Sequence, residues 1–471
     1  MFEDEGEEDW LTPDYKEQLQ LFEKMYASNQ YHFIDSEHIE FILDHLIATN
    51  QMKKAKWAAE KALEHFPANS SILTRYAQIL SSIGEVDAAL TLLLNLERLE
   101  PNSTEIYISI ATCYSQLKDS KRAIRYFNKA FVLSDGEEKI DIAIDLAMEY
   151  ENSDDYHSAI KVLNETISEG NLNDLLVYEL AHCYEKVDDF DNAIKCFKDY
   201  IDIEPYSYTT WYNLGNVYAK KQKYEEAIWA YDYAILINEN FIPAIYNIAN
   251  TYFDNNQIEK ALQHFQMCLD LDQEDPLVYC SIGECYEELG DMEKAYEMFH
   301  KSTELFPALG EAWLGKGIMS DVLGFGERAI QELLVAVDIE PFKAEGWNAL
   351  ANAYESTKKP ELALVAYEKA IELGGDDKDI IIDYLSFLTT LSIDHVYDAI
   401  ENNQQIKDNN VVKLVLTFSF WMLDETLKSQ LMFESLVDED VAIAKDLFYY
   451  FPELETDTYF KNRIQELQEN K

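Results

Sequence analysis

Cysteine is scarce in this sequence, and the few cysteines are not arranged for cross-links or metals. The 471 residues include six Cys, with no Cys-x-x-Cys pair among them. Close pairs are typical of zinc sites, and dense cysteine patterns are typical of disulfide frameworks. The nine His residues show no His-Glu-x-x-His or related ligand spacing. We therefore expect reduced thiols and no bound metal.

Long apolar runs are missing as well. The longest candidate, Val411 to Leu423, falls short of the roughly 18 residues that a membrane span needs, and it contains Lys413. The N-terminal segment has neither the basic nor the apolar region of a secretory signal. These absences predict a cytoplasmic protein that does not insert into a membrane.

Positive charge is scarce relative to negative charge. The sequence has 38 Lys and Arg against 89 Asp and Glu, which gives a formal net charge of -51. Such a surface repels phosphate backbones, so nucleic acid is excluded as the expected partner. A neutral or basic protein or peptide is the partner that this charge favours. The hydrophobic content of 48% is nevertheless too high for a disordered acidic chain.

Motifs for catalysis or cofactor binding are absent too. No glycine-rich phosphate loop and no nucleophile elbow occurs in the sequence. The segment Gly324–Gly326 is better explained as a turn, because no strand precedes it. We expect a protein that is not an enzyme and that holds no cofactor.

What the sequence does contain is a period of 34 residues. The segments Trp211–Tyr218 and Ile245–Tyr252 lie 34 positions apart and nearly superimpose. Their apolar residues at i, i+3, i+4 and i+7 predict one face of a helix. Ala227, Tyr231 and Ala234 predict the apolar face of a second helix. A period of this size indicates a solenoid of stacked helix pairs.

The period can be followed through small residues, which allow two helices to cross closely. On the second helices these are Ala55, Ala89, Ala123, Ala159, Ala193, Ala227, Ala261, Ala295, Ala329 and Ala363. On the first helices they are Ala77, Ala111, Ala147, Ala181, Gly215, Ala249, Gly283, Gly317 and Ala351. The step from Ala123 to Ala159 contains two extra residues, which we expect to lengthen the turn near Ser134–Gly136.

The aromatic and small residues of one unit resemble the signature of the tetratricopeptide repeat family. They are Trp211, Leu214, Gly215, Tyr218, Ala227 and Tyr231. The resemblance implies an all-α fold, a right-handed α-solenoid of tandem helix-turn-helix repeats with helical caps. It also implies a non-enzymatic scaffold that binds a partner segment in a concave groove.

The repeat frame divides the chain into four segments. Residues 1–12 are expected to form an acidic disordered tail, and residues 13–35 an N-terminal capping helix. Ten tandem repeats are expected over residues 36–377. The pattern decays over residues 378–471, where we expect degenerate repeats and C-terminal capping helices.

Asparagine recurs on the first helices. Asn213 and Asn216 are matched by Asn247 and Asn250, 34 residues further on, and Asn352 repeats the later of the two positions. Two interpretations stay open. The amides pair with the backbone of a bound peptide, since each offers a donor and an acceptor, or they form hydrogen bonds within and between the helices.

Tyrosine accompanies these asparagines. Tyr178, Tyr212 and Tyr246 share the position next to them in successive repeats, where they either contact a ligand or pack between helices. In the family this face lines the concave groove. The pattern resembles the asparagine ladders of O-linked N-acetylglucosamine transferase repeats and of importin-type solenoids, which hold extended peptides. The resemblance thus implies peptide binding by these asparagines and tyrosines.

This fold has other uses besides the binding of extended peptides. A clamp for acidic chaperone tails needs basic residues on successive inner positions, whereas this chain has Leu277 and Ser281 there. The C-terminal helices, expected over Asp379–Leu391, Val441–Tyr450 and Thr456–Gln468, leave a regulatory subunit of an enzyme as one alternative. A soluble subunit of a membrane complex on its cytoplasmic face is the other. The sequence leaves the oligomeric state open.

Overall fold

The computed structural model describes residues 13–170, 172–271 and 274–469, and in this part of the chain it contains helices and no strand. The acidic tail expected over residues 1–12 lies outside the described residues. The chain forms two compact units, one ending at Glu239 and the other starting at Asn240.

The first unit has thirteen helices among its described residues, and most of them alternate in antiparallel pairs. They are α1 (Pro13–Ser28), α2 (Ser36–Ala48), α3 (Met52–His65), α4 (Ser70–Ser82), α5 (Val86–Leu99), α6 (Thr104–Gln116), α7 (Ser120–Leu133), α8 (Gly136–Glu151), α9 (Tyr156–Ser168), α10 (Asp174–Lys186), α11 (Phe190–Ile201), α12 (Tyr208–Lys220) and α13 (Tyr224–Ile237). Helix α1 precedes the six pairs α2–α3 to α12–α13.

The second unit has sixteen α-helices among its described residues. Four further pairs come first, formed by α14 (Ile242–Asp254), α15 (Ile258–Leu271), α16 (Pro276–Glu288), α17 (Met292–Leu305), α18 (Gly310–Val322), α19 (Gly326–Ile339), α20 (Ala344–Ser356) and α21 (Pro360–Gly374). The remainder are α22 (Lys378–Leu391), α23 (Ile393–Asn402), α24 (Gln404–Lys407), α25 (Val411–Met422), α26 (Thr426–Glu439), α27 (Val441–Lys445), α28 (Leu447–Tyr450) and α29 (Thr458–Glu469). A 3-10 helix, Pro452–Thr456, precedes α29.

The turn inside each of the ten pairs has one residue in the left-handed backbone region, which ends the first helix and reverses the chain. These residues are Asn50, Gly84, Lys118, Asp154, Asp188, Gln222, Asn256, Gly290, Gly324 and Lys358. They recur at the 34-residue interval of the sequence, with one step of 36. The period therefore sets the backbone geometry as well as the packing.

The two extra residues do not lengthen the turn at Ser134, contrary to the sequence-based expectation. Only Ser134 and Asp135 separate α7 from α8. Helix α8 instead has 16 residues, whereas α6 has 13. The insertion is absorbed at the start of a first helix, since α8 begins at Gly136, whose φ of +59° lies in the left-handed region.

Small residues at the helix crossings face aromatic or branched side chains, as the spacing predicts. A Cβ atom added to Gly215 would lie 2.5 Å from the Tyr231 ring. One added to Gly317 would lie 2.6 Å from the Leu333 side chain. Ala227 is fully buried at the same crossing as Gly215. These contacts leave no room for a larger side chain.

Tryptophan and proline in the repeat pattern form a hydrogen bond to each other. The indole Nε1 of Trp211 donates to the carbonyl oxygen of Pro205 at 2.9 Å. The same bond joins Trp347 to Pro341 at 3.0 Å. Each proline lies in the turn after the preceding helix, and the indole pairs its carbonyl oxygen.

The C-terminal helices continue the stack. One hydrophobic core runs from Ala344 on α20 to Leu467 on α29, and it includes Phe387, Phe420 and Phe460. The sequence did not predict α23 and α24. One residue separates α22 from α23, and one residue separates α23 from α24.

One C-terminal helix differs from its prediction. The segment Val441–Tyr450 is interrupted at Asp446 rather than forming one helix. The Asp446 backbone ends α27, since its N–H bonds to Ile443, and its carbonyl accepts from Tyr449 to begin the next short helix.

The cysteines are buried or half-buried free thiols, as their place among apolar residues predicts. Burial raises the pKa of Cys285 to about 12, so this thiol is protonated and unreactive at neutral pH. Among the described residues, no helix combines the length and the apolar composition that a membrane span requires.

Candidate functional site

In the first unit, the predicted asparagines have different surroundings. The Asn216 Oδ1 atom accepts a hydrogen bond from the Tyr231 hydroxyl at 2.8 Å, so it joins the two helices of one pair. Asn213 is half-buried, and its amide forms no hydrogen bond with the described residues. Tyr212 packs against Tyr231, with ring centroids 5.9 Å apart. Asn213 is therefore the amide on α12 that is open to a ligand.

Tyr178 on α10 is the most exposed of the three predicted tyrosines. Its side chain is 42% exposed, and its ring stacks on the His182 ring with centroids 6.3 Å apart. Next to it, burial and the negative charge of Glu151 raise the pKa of Glu179. The tyrosine thus lies beside a carboxylate in an environment that disfavours negative charge.

Carboxylates also follow one another along α8. Asp145 reaches solvent, but the surrounding protein removes part of its hydration, and this desolvation raises its pKa. Repulsion from Asp141 and Glu149 adds to the shift. None of these three carboxylates, nor Glu179, forms an ion pair with a described residue. Negative charge on this side of α8 and α10 is therefore uncompensated within the described chain.

Glu149 is the most buried of these groups, at 4% exposure. Its Oε1 accepts hydrogen bonds from the Ser115 hydroxyl and, at 3.4 Å, from the Asn152 amide. Its Oε2 is buried and has no partner among the described residues. A buried oxygen without a partner costs free energy, which a bound donor would recover.

In the second unit, Asn247 and Asn250 lie half-buried on α14. The Asn250 amide hydrogen-bonds the Tyr246 hydroxyl, whose pKa is raised chiefly by burial. The same hydroxyl lies 3.1 Å from the Ser281 hydroxyl on α16. Tyr246 thereby links two successive first helices instead of standing free.

Asn352 belongs to a denser polar cluster on α20, α21 and α22. Its Oδ1 accepts from the Tyr367 hydroxyl, and its Nδ2 donates to the Asp383 carboxylate at 3.2 Å. Asn348 donates to the same carboxylate oxygen at 2.7 Å. Burial nonetheless raises the pKa of Asp383, and it also raises that of Glu355, which accepts from Tyr367 at 3.0 Å.

This cluster borders a cleft of about 370 Å³, called the acidic cleft below. Its lining contains the carboxylates of Asp321, Glu345, Asp377 and Asp379 and no Lys or Arg. Apolar side chains of α18, α20 and α22 complete it. The Oδ1 atom of Asn348, which also lines the cleft, is buried without a hydrogen-bond partner. The site can therefore accept a donor that carries positive charge.

Models of the tetratricopeptide repeat match six of the helix pairs. One model matches residues 208–241, 242–275 and 344–377, and a second matches residues 104–134, 176–207 and 277–309. The chain is a tetratricopeptide repeat protein. In general terms it is thus a protein-interaction scaffold with an all-helical solenoid fold. For the other four helix pairs within residues 36–377, the repeat assignment stays a prediction.

Solved structures of similar proteins were also found. Yeast Tom70 is 15% identical, with 91% of this chain and 98% of that chain covered and a TM-score of 0.43. Cut9, from the APC/C hetero-tetramer Cut9-Hcn1, is 14% identical, with 86% and 93% covered and a TM-score of 0.42. YrrB, described as having an unusual peptide-binding site, is 20% identical, with 39% and 95% covered and a TM-score of 0.33. No relative was found among the curated proteins.

The tetratricopeptide frame explains which asparagines bond internally. Tyr231 and Tyr367 lie 15 residues after Asn216 and Asn352, and each donates to its asparagine. Fifteen residues after Asn250 the sequence has a phenylalanine, Phe265. In the sequence, a tyrosine 15 residues after the asparagine therefore marks the pairs that bond between the two helices of one repeat.

The frame also marks carboxylates that the prediction left out of the site. Asp145, Glu179 and Asp383 occupy the repeat position of Asn213, because each lies a multiple of 34 residues from it. All three have a raised pKa. In the described residues, no group of three or more His, Cys, Asp or Glu side chains has the geometry to hold a metal ion. The arrangement suits recognition of a cation-bearing ligand.

Proposed function

We propose that this protein holds a segment of a neutral or basic partner protein against the first helices of its repeats. The first-helix face is defined for each unit by itself, as Asp145, Glu179 and Asn213 in the first unit and as Asn247 and Asp383 in the second. The observation that supports the proposal is the pair Asp145 and Glu179 in the first unit, which share one repeat position, form no ion pair with a described residue and have raised pKa values. These carboxylates cost the free protein stability and favour a positively charged ligand.

Loss of solvation and repulsion between like charges both act on these carboxylates. Burial and like charge both disfavour an ionised carboxylate, which is what a raised pKa records. A Lys or Arg side chain placed beside Glu179 or in the acidic cleft would offset both effects. Complementary charge would also speed association and exclude acidic partners.

The amides have two roles under this proposal. Asn213 offers a donor and an acceptor to a peptide backbone, because its amide is not used within the described chain. Asn216 and Asn352 instead place a second-helix tyrosine, and Asn352 also holds Asp383. We assign these two a positioning role, which refines the uniform ladder expected from the sequence.

Affinity capture from native cells, followed by mass spectrometry, tests the proposal. The parent chain is compared with the variant N213A/N216A/N247A/N250A and with the variant D145K/E179K. We expect both variants to lose at least tenfold of the specifically captured partner, since each removes backbone pairing or reverses the attractive charge.

The matched control is Tyr231→Phe, which removes the internal bond to Asn216 but leaves the first-helix face in place. Its capture should equal that of the parent. Unchanged capture by folded D145K/E179K, checked by circular dichroism, would contradict the proposal. Among the described residues no feature favours either alternative, and the continuous core from Ala344 to Leu467 weighs against a separate C-terminal domain.

A further inference from the structure

A second cleft lies in the second unit and shares no lining residue with the acidic cleft. Its volume is about 500 Å³, within the range of about 300–1,000 Å³ that is typical of ligand clefts. Helices α21, α22, α23 and α24 form it, at the point where the chain leaves the regular repeat. It is called the terminal cleft below.

One wall of the terminal cleft is a single face of α23. His395, Asp398, Ala399 and Asn402 line the cleft at the i, i+3, i+4 and i+7 spacing of one helical stripe. Only ten residues form this helix, and Val396 is its one fully buried side chain. One side of α23 thus packs on the core, and a second side lines the open cleft.

The floor of the terminal cleft is apolar. Leu388 is 2% exposed, Ile406 1% and Tyr384 8%, so these side chains are fixed by the core beneath them. Leu364 and Ala399 are less buried and present apolar surface to the cleft. A rigid apolar floor suits aliphatic side chains of a ligand, since their burial is favourable and the floor needs no rearrangement.

The rim of the terminal cleft is acidic. Glu368 and Asp398 are exposed and form no ion pair with a described residue, whereas Glu372 is paired with Lys369 at 2.7 Å. Among the described residues, no Lys or Arg lines the cleft. The rim therefore carries two carboxylates without an ion pair, one on α21 and one on α23.

We propose that the terminal cleft docks an amphipathic segment of a partner protein, with aliphatic side chains on the floor and Lys or Arg at Glu368 and Asp398. The occupant follows from the charge complementarity of the rim and the apolar character of the floor. This surface is separate from the first-helix face, so the protein would hold one partner at two places or two partners at once.

Binding of a synthetic peptide tests the proposal. The probe is a fluorescein-labelled peptide of Leu and Lys in which Leu occupies one helical face. The comparison peptide has the same composition in an order that produces no apolar face. Fluorescence anisotropy with the full chain near 0.15 M salt should show binding of the first peptide at least tenfold tighter than binding of the second, because only the first matches floor and rim together.

Charge reversal locates the binding. The variant E368K/D398K should weaken the amphipathic peptide about tenfold, because it replaces attraction by repulsion on both walls. The matched control E297K/D338K makes the same change of charge at exposed positions outside the terminal cleft. It should weaken binding less than twofold. The variant N213A/N216A/N247A/N250A should bind this peptide as the parent does, which separates this proposal from the one above.

Three outcomes would overturn the proposal. Equal weakening by the two charge-reversed variants would mean attraction to the acidic surface in general. Equal affinity for the two peptides would mean that the apolar floor plays no part. A dimer of the parent chain that dissociates in E368K/D398K, seen by sedimentation, would place a second copy in the cleft instead. Should E368K/D398K fail to fold, the isosteric E368Q/D398N replaces it, with a smaller loss expected.

Discussion

Two consecutive repeats, residues 208–241 and 242–275, have matching asparagines but use them differently. In the first, Asn216 accepts from Tyr231 on the second helix. In the second, Phe265 stands at the position of Tyr231, and Asn250 bonds Tyr246 on its own helix. One hydroxyl group thus decides whether the asparagine links two helices or orients a neighbour.

The recurrence of a polar residue is therefore not sufficient evidence for a peptide-binding ladder. A half-buried amide takes whichever donor its repeat provides, because leaving it unpaired costs free energy. Where the second helix has a tyrosine, the asparagine is engaged inside the repeat. Asn213, Asp145 and Glu179 form no side-chain hydrogen bond with the described residues, and under the proposal these groups are available to a partner.

The largest expected effect comes from the crossing beside Tyr231. A Cβ atom at position 215 would lie 2.5 Å from the tyrosine ring, so Gly215→Leu forces the two helices apart. We expect it to lower the free energy of unfolding by about 1 to 3 kcal/mol. Denaturant titration followed by circular dichroism measures this loss. Ala227→Phe on the facing helix should cost a similar amount.

A second substitution checks that the ring is the cause. Gly215→Ala should cost less in a Tyr231→Leu background than in the parent, because the smaller side chain leaves room for the added methyl group. The next repeat already has Ala249 at this position, packed in a fully buried site. Equal costs in both backgrounds would show that the helix register, rather than the ring, is responsible.

The sequence predicted the repeats well because each apolar and small residue occupies a position fixed by the 34-residue period. The predicted location of the two inserted residues was wrong. A longer loop and a longer helix at Gly136 shift the 34-residue period by the same amount, so the period alone does not distinguish them. The sequence-based prediction missed α23, because a ten-residue helix outside the frame has no repeat to mark it. The sequence predicted only which positions belong to the candidate site. The role of each asparagine depends on its hydrogen-bond partner, such as Tyr367 for Asn352.

The intermediate effect concerns the bond between Asn216 and Tyr231. A double-mutant cycle with Asn216→Ala and Tyr231→Phe should show a coupling of about 0.5 to 1.5 kcal/mol in unfolding free energy, since either change removes the same hydrogen bond. Chemical denaturation of the four proteins measures it. The pair Asn352 and Tyr367 repeats the geometry, so its cycle should give a coupling of the same sign. Additive effects in both cycles would mean that the asparagines face a ligand instead.

The smallest effect is on pH dependence, and it distinguishes the Asn352 cluster from the Asn216 pair. Burial raises the pKa values of Glu355 and Asp383, and the two carboxylates repel each other. A carboxyl with a raised pKa binds more protons in the folded chain than in the unfolded chain, so its contribution to stability falls as the pH rises from the ordinary carboxyl pKa to the raised value. Above that window the penalty is complete.

Lowering the pH from 7.5 toward 5 should therefore raise the melting temperature of the parent more than that of E355Q/D383N, in which both groups stay neutral. Relief of the overall net charge of -51 acts on both proteins and cancels in the comparison. The difference should be modest, because Glu355 and Asp383 still reach solvent in part. The variant N216A/Y231F, which changes no carboxylate, should follow the pH profile of the parent. Parallel profiles for the parent and E355Q/D383N would mean that the two carboxylates are already neutral or solvated at pH 7.5, and the Asn352 cluster would then exert little attraction on a cation.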